Sequence, residues 1–166
     1  MKINKNTMSL PKLSKIVVSM GVKDVLSNKK NMTNMIPVLA SITGQKPKIT
    51  RAKKSIAGFK LREGEEIGLV VTLRGKRLNG FLDKLTKVVL PRLRDFHGVG
   101  RSNFDGHGNY SLGFSEVTVF PEIDAGKVEQ VQGMQVTIVT GAGNDKEGMA
   151  FLEKLGMPFE KMRNER

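Results

Sequence analysis

The chain of 166 residues has no cysteine, no tryptophan, one tyrosine and eight phenylalanines. Without cysteine there is no disulfide framework, no thiolate metal site and no cysteine nucleophile. Aromatic residues at 5% are too few for a surface that works by stacking unpaired nucleic-acid bases. Long apolar runs are also missing: none approaches the roughly 20 residues that cross a bilayer. The start, MKINKNTMSL, carries no apolar signal core, so the chain is expected to be made and kept inside a cell or organelle. Acids are scarce in one region only. Residues 1 to 60 hold thirteen lysines and arginines against the single acid Asp24, whereas the remainder holds fifteen of each sign. The whole net charge of +12 therefore sits in the first third, which points to one face meeting a polyanion.

The charge is densest in GQKPKITRAKKSIAGFKLREG, Gly44 to Gly64, where Gln45 to Arg62 contains seven cations and no carboxylate. A solvated surface interleaves both signs, so a block of one sign either repels itself into disorder or meets an anion. With 39% hydrophobic and 27% charged residues the rest suits a globular domain. A basic arm over residues 1 to 11 and one domain over 12 to 166 are expected.

Lys12 to Gly21 alternates as a strand, with Ile16, Val18 and Met20 on one face and Lys15, Val17 and Ser19 on the other. Met32, Met35, Ile36, Leu39 and Ile42 recur at helical spacing within Asn28 to Thr43. Pro37 breaks that pattern: the helix either kinks there or starts late, capped by Asn34. Pro47 to Ser55 reads as a strand, then a loop to Gly64. Glu65 to Arg74 alternates Ile67, Leu69, Val71 and Leu73 against Gly68, Val70, Thr72 and Arg74, so Thr72 and Arg74 face away from the core. Gly75 to Leu93 is an amphipathic helix on Leu78, Phe81, Leu82, Leu85, Val89 and Leu93, bent or ended by Pro91.

Residues 94 to 111 form a glycine-rich loop, of a length that is more often functional or mobile than a spacer. Leu112 to Phe120 and Gly133 to Thr140 are two more strands. A last helix starts at Asn144 or Asp145 and turns Met149, Leu152 and Leu155 inward. The fold class is α+β: one domain with a largely antiparallel sheet, helices on one face and the other face free.

Catalytic constellations fail on spacing. Gly141 to Lys146 has lysine where a dinucleotide fingerprint needs its third glycine, and no phosphate-binding P-loop is present. Asp95, His97, Asp105 and His107 form a repeated D-x-H that offers imidazoles and carboxylates to a divalent metal, against the plainer reading of a polar loop. The free sheet face with Lys15, Ser19, Thr72 and Arg74, flanked by Lys46 and Lys48, suits phosphates and riboses. A reader of RNA shape and backbone fits better than a reader of sequence.

The segments KIVVSMGV, GQKPKITRAKKSIAGFKLREG, VTLRG, FLDKL, LPRLRDF, FDGHGNYSLG, FPEID, GMQVTIVT and LGMPF, in this order from Lys12 to Phe159, resemble the bacterial-type large-subunit ribosomal protein L five family. The resemblance implies an RNA-binding, non-catalytic protein whose concave sheet face packs on 5S rRNA in the central protuberance, beside large-subunit rRNA. It carries the family's RNA-contacting positions to Ser19, Gln45, Thr72 and Arg74, with Ser19 standing where bacterial members generally have asparagine. Ala57 to Gly64 is similar to the family's loop toward P-site tRNA, which implies contacts by Phe59, Lys60 and Arg62. An intersubunit bridge to a small-subunit head protein is implied for the C-terminal half. Family members usually carry arginine where His97 and His107 stand, which explains the D-x-H repeat without metal, and an additional N-terminal helix that is missing or shortened here. Neither a cofactor nor a membrane is implied, and the ribosome would be that of a bacterium or an organelle. A free RNA chaperone or assembly factor is the alternative, and a phosphate-handling enzyme on the 94 to 111 loop the third reading.

Overall fold

The alternating and helical stretches assemble as β1 (Leu13–Gly21), α1 (Lys30–Thr43), β2 (Lys48–Arg51), β3 (Glu66–Leu73), α2 (Gly75–Lys84), β4 (Tyr110–Phe114), β5 (Met134–Thr140) and α3 (Asp145–Lys154). The computed structural model describes residues 10–22, 30–94, 96–123, 126 and 132–160. Most of the expected basic arm, and the first residues of the expected first helix, lie outside them. The five strands form one sheet in the order β2-β3-β1-β5-β4, with every neighbouring pair antiparallel. This is the expected α+β architecture.

The central strand β1 sets the layers. Ile16, Val18 and Met20 are almost fully buried, and the register pairs Ile16 with Leu73 and Ile138, and Val18 with Val71 and Val136. Side chains of paired residues share a face, so these residues form the floor on which the helices sit. α1 packs against β3 and α2 against β1, adding Leu39, Ile42, Leu78, Phe81 and Leu85 to one continuous core.

Pro37 lies inside α1, which overturns the late start capped by Asn34. Its missing N–H leaves the Thr33 carbonyl without a helical donor. Both residues are exposed, where solvent can stand in for the missing donor, and the helix continues through Pro37. α1 ends at Gly44, whose positive φ of 65° suits a residue without Cβ. Its last turn has no cation of its own. Lys84 supplies one from α2, donating to the Ile42 carbonyl at 2.6 Å and pairing with Glu122 at 2.7 Å. Such a charge at a helix C-terminus is favourable.

Several boundaries differ from expectation. β2 stops at Arg51, after a register shift between Thr50 and Arg51. The long second helix is α2 followed by a π-helical turn, Leu85–Val89, and a 3-10 turn, Leu90–Arg92, in which Pro91 ends it. β4 ends at Phe114, and Val117–Val119 is a 3-10 turn rather than strand. Ile67 and Leu155, expected inside, are 39% and 38% exposed; Leu152 is buried as expected, and Gly148 and Met157 join it.

The glycine-rich loop is anchored. Asp145 Oδ1 and Oδ2 accept from Gly108 N–H and Gly106 N–H, and Thr140 Oγ1 donates to the Gly108 carbonyl at 2.8 Å. Tyr110 donates its hydroxyl to the Gly100 carbonyl at 2.7 Å, and burial pushes its pKa up to about 12, so it stays a neutral donor. Asn144 caps α3 by accepting from Glu147 N–H, and α3 then lies directly on the loop. A Cβ on Gly148 would stand 2.6 Å from the Gly108 carbonyl oxygen. That atom is backbone and cannot turn aside, so Gly148→Ala is expected to cost about 1–3 kcal/mol, read as a lower urea midpoint at unchanged slope.

Candidate nucleic-acid interface

The face of the sheet away from the helices follows from the same register. One row across it is Lys48, Val70, Ser19, Gln135 and Gly113; the next is Thr72, Val17, Thr137 and Ser111. Continuing β1 and β3 by one step places Lys15 beside Arg74, whose backbone is still extended at φ −141°, ψ 162°. Within these strands the face carries no aromatic side chain, and its one carboxylate, Glu66 at the far end, is paired with Arg51 at 3.3 Å. Hydroxyls, amides, small residues and cations remain, with the half-buried Val17, Val70 and Val139 between them. The Ser111 and Thr137 hydroxyls lie 3.1 Å apart and share a hydrogen bond.

The expected site residues divide into two groups. Ser19 and Thr72 are diagonal neighbours on adjacent rows. Gln45 reaches the same patch because the turn at Gly44 brings it to the edge of β3, where its Nε2 donates to the Thr72 carbonyl at 3.4 Å. Arg74 is exposed, and its side chain makes no hydrogen bond or ion pair among the described residues. Ser19, Gln45, Thr72, Arg74 and Lys15 thus come together at one end of the face. Lys48 lies on β2 in the same row as Ser19, and Lys46 is exposed in the link before it.

Phe59, Lys60 and Arg62 are elsewhere, on the connection between β2 and β3. That segment is an ordered finger. Ala52 N–H donates to Glu65 O and Gly64 N–H to Ala52 O at its base; Ile56 and Leu61 exchange backbone hydrogen bonds near its tip. Between these, Glu63 N–H donates to Ser55 Oγ. A 3-10 turn, Ala57–Phe59, then closes on Lys60, the one non-glycine residue with positive φ (51°) among those described. Phe59 is 74% exposed at the tip, beside exposed Ile56. The finger leaves the sheet at Glu66, eight residues before Arg74, which is about 26 Å along an extended strand.

Arg77, Gln135, Thr137 and Ser111 were not singled out by sequence. Arg77 Nη1 donates to Gln45 Oε1 at 3.2 Å, adding a second guanidinium to the Arg74 end. The alternation in Met134–Thr140 carried the signal for Gln135 and Thr137, but only the register shows them level with Ser19 and Val17.

Among the described residues no three His, Asp or Glu side chains gather as metal ligands, and no helix is long and apolar enough to cross a membrane. Asp95 lies outside those residues. Asp105 serves its own turn, accepting from His107 N–H, Asn109 N–H and Asn109 Nδ2. The Asn109 side-chain hydrogen bond, aided by the two backbone donors, holds its carboxyl below the usual carboxylate value.

The family profile described as ribosomal protein L5 matches residues 6–62, and the profile for the C-terminus of the same ribosomal family matches residues 66–159. The chain is 56% identical over 156 residues to the large ribosomal subunit protein uL5 of Latilactobacillus sakei, covering 94% of this chain and 87% of that protein. Identity and coverage are the same for the uL5 of Limosilactobacillus reuteri. That of Leuconostoc mesenteroides is 55% identical over 157 residues, 95% of this chain and 87% of the relative.

Two measurements probe this geometry. Left-handed backbone costs a residue with Cβ about 1–2 kcal/mol, so Lys60→Gly should hold or raise the urea midpoint while Lys60→Val lowers it. Because the folded Asp105 carboxyl lies below its ordinary value of 3.8, its contribution to the turn is complete above that value and is lost as pH falls through the folded one. The amide resonances of His107 and Asn109 should therefore titrate together with a midpoint below 3.8.

Proposed function

The chain belongs to the ribosomal protein L5 family, and from that premise we propose that it holds 5S rRNA on the open face of its sheet and offers its finger to P-site tRNA. It is a protein of the large ribosomal subunit and not an enzyme, which sets aside the free chaperone and the phosphate-handling enzyme. The observation that carries the 5S reading is the composition of the open face. Hydroxyls, amides and cations in register around half-buried valines, with no aromatic side chain and no unpaired acid within the strands, suit ribose and phosphate edges of a structured RNA.

Roles follow from chemistry. Arg74, exposed and unengaged, is the charge-assisted phosphate contact. Thr72 and Ser19 offer hydroxyls to ribose, and Gln45 is held in place between Arg77 and the Thr72 carbonyl. Lys15, Lys46 and Lys48 add attraction that salt screens. On the finger, Lys60 and Arg62 take phosphates and Phe59 lies on ribose or base. The central protuberance is the site of assembly in this reading, with large-subunit rRNA alongside and the C-terminal half toward a small-subunit head protein.

Arg74→Ala is expected to weaken binding of isolated 5S rRNA by about 1–3 kcal/mol, measured by filter binding across a salt series. Replacing Phe59, Lys60 and Arg62 together by alanine should leave that affinity within about threefold, because the finger is remote from the patch. Ser19→Asn should tighten binding by restoring an amide. Unchanged affinity in Arg74→Ala at every salt concentration would remove the patch from the interface.

A further inference from the structure

β4 is an edge strand, and its two halves differ. The first is covered: Ser111 N–H donates to the Asn103 carbonyl at 3.1 Å, and Phe104 bridges Tyr110. In an antiparallel strand the N–H and C=O of one residue point the same way, and successive residues alternate. Since Ser111 donates away from β5, Gly113 must also direct its N–H and C=O away from β5. There the N–H meets no acceptor among the described residues. Gly113 is exposed, and open space surrounds the position a Cβ would take.

The bare half opens on a cleft of about 770 Å³. Across from Gly113 stand Arg92 and Arg94, which follow the π-helical turn. Both are exposed and make no ion pair or side-chain hydrogen bond among the described residues. Leu93, Phe114 and Val119 give the cleft an apolar part, and Glu116 lines it too, accepting from the Thr118 hydroxyl at 3.0 Å.

Nucleic acid answers this combination poorly. A strand edge presents donors and acceptors in turn; phosphates only accept, so RNA would answer the Gly113 carbonyl through a ribose hydroxyl or base amine, without the regular donor-acceptor spacing of a peptide backbone. Glu116 also repels a run of phosphates while tolerating one carboxylate held by two guanidiniums. An added peptide strand satisfies the edge and places alternate side chains on the cleft. We infer that the free half of β4 is a docking edge for an extended acidic peptide segment of a protein partner. Its backbone pairs with Gly113, one carboxylate sits on Arg92 and Arg94, and an apolar side chain two residues along, on the same face of the added strand, covers Leu93 and Val119. Gly113 ends the row that holds Ser19 and Gln135, so this edge borders the open face at β4, the strand farthest from β2 and β3 with Arg74 and the finger.

The test uses the full chain and an acetylated, amidated peptide of about eight residues in which aspartate and valine take turns on one face with threonine at every intervening position, Asp-Thr-Val-Thr repeated. Three comparison probes are the same peptide with alternate backbone amides N-methylated, its asparagine counterpart, and an oligouridylate of similar length. Saturable binding by NMR is expected, with slowed exchange of the Gly113 amide. The methylated and asparagine peptides, and the protein variant Arg92→Gln with Arg94→Gln, should each bind at least about tenfold more weakly. Gly113→Pro should do the same, since an edge strand tolerates proline where its N–H faces outward. No binding of the acidic peptide overturns the inference. So does binding indifferent to backbone methylation, which means charge alone, and so does oligouridylate perturbing Arg92 and Arg94 at lower concentration than the peptide, which makes the cleft an RNA site.

Discussion

β1 is paired on both sides, to β3 and to β5, and that double pairing is the constraint on which the molecule rests. Ile16, Val18 and Met20 must all face the helices, because a slip of one residue would bury Lys15, Val17 and Ser19 instead. Once they face inward, the outward row is determined for three strands at once. Ser19 stands level with Val70 and Gln135, and Val17 with Thr72 and Thr137. The open face is therefore the obligatory reverse of the core.

Strict alternation makes β1, β3 and β5 visible in the sequence alone, and the helical stripe does the same for α2. Asn144 announces α3 through its capping chemistry. Alternation tells which side a residue takes but not how far cover extends, which is why Ile67, near the start of β3 where β2 slips against it, is exposed. A stripe of period 3.6 also cannot report a π-helical turn, since Leu85 and Val89 stay buried through it. Leu112 to Phe120 has the composition of one strand, yet the chain turns after Phe114 to bury Val117 and Phe120.

Of the interface, the residues are legible in the sequence and their grouping is not. Ser19, Thr72 and Arg74 lie on strands whose faces can be assigned by counting. Gln45 and Arg77 meet only because Gly44 reverses the chain and α2 runs back past it, a tertiary arrangement no local pattern encodes. The basic block from Gln45 to Arg62 reads as one patch. The structure divides it into a sheet edge and a finger, and the finger's backbone hydrogen bonds keep like charges together that would otherwise drive it into disorder.

β3 carries the finger at one end and Arg74 at the other, and a strand inside a sheet is close to inextensible. The chain therefore behaves as a ruler whose two marks are an RNA patch and a loop tip. The graduations are coarse: removing two residues from each arm of the finger would keep every face but draw the tip back by about 7 Å, and removing one from each would turn the tip over. Evolution can reshape the tip freely, but it can change the span only in such steps.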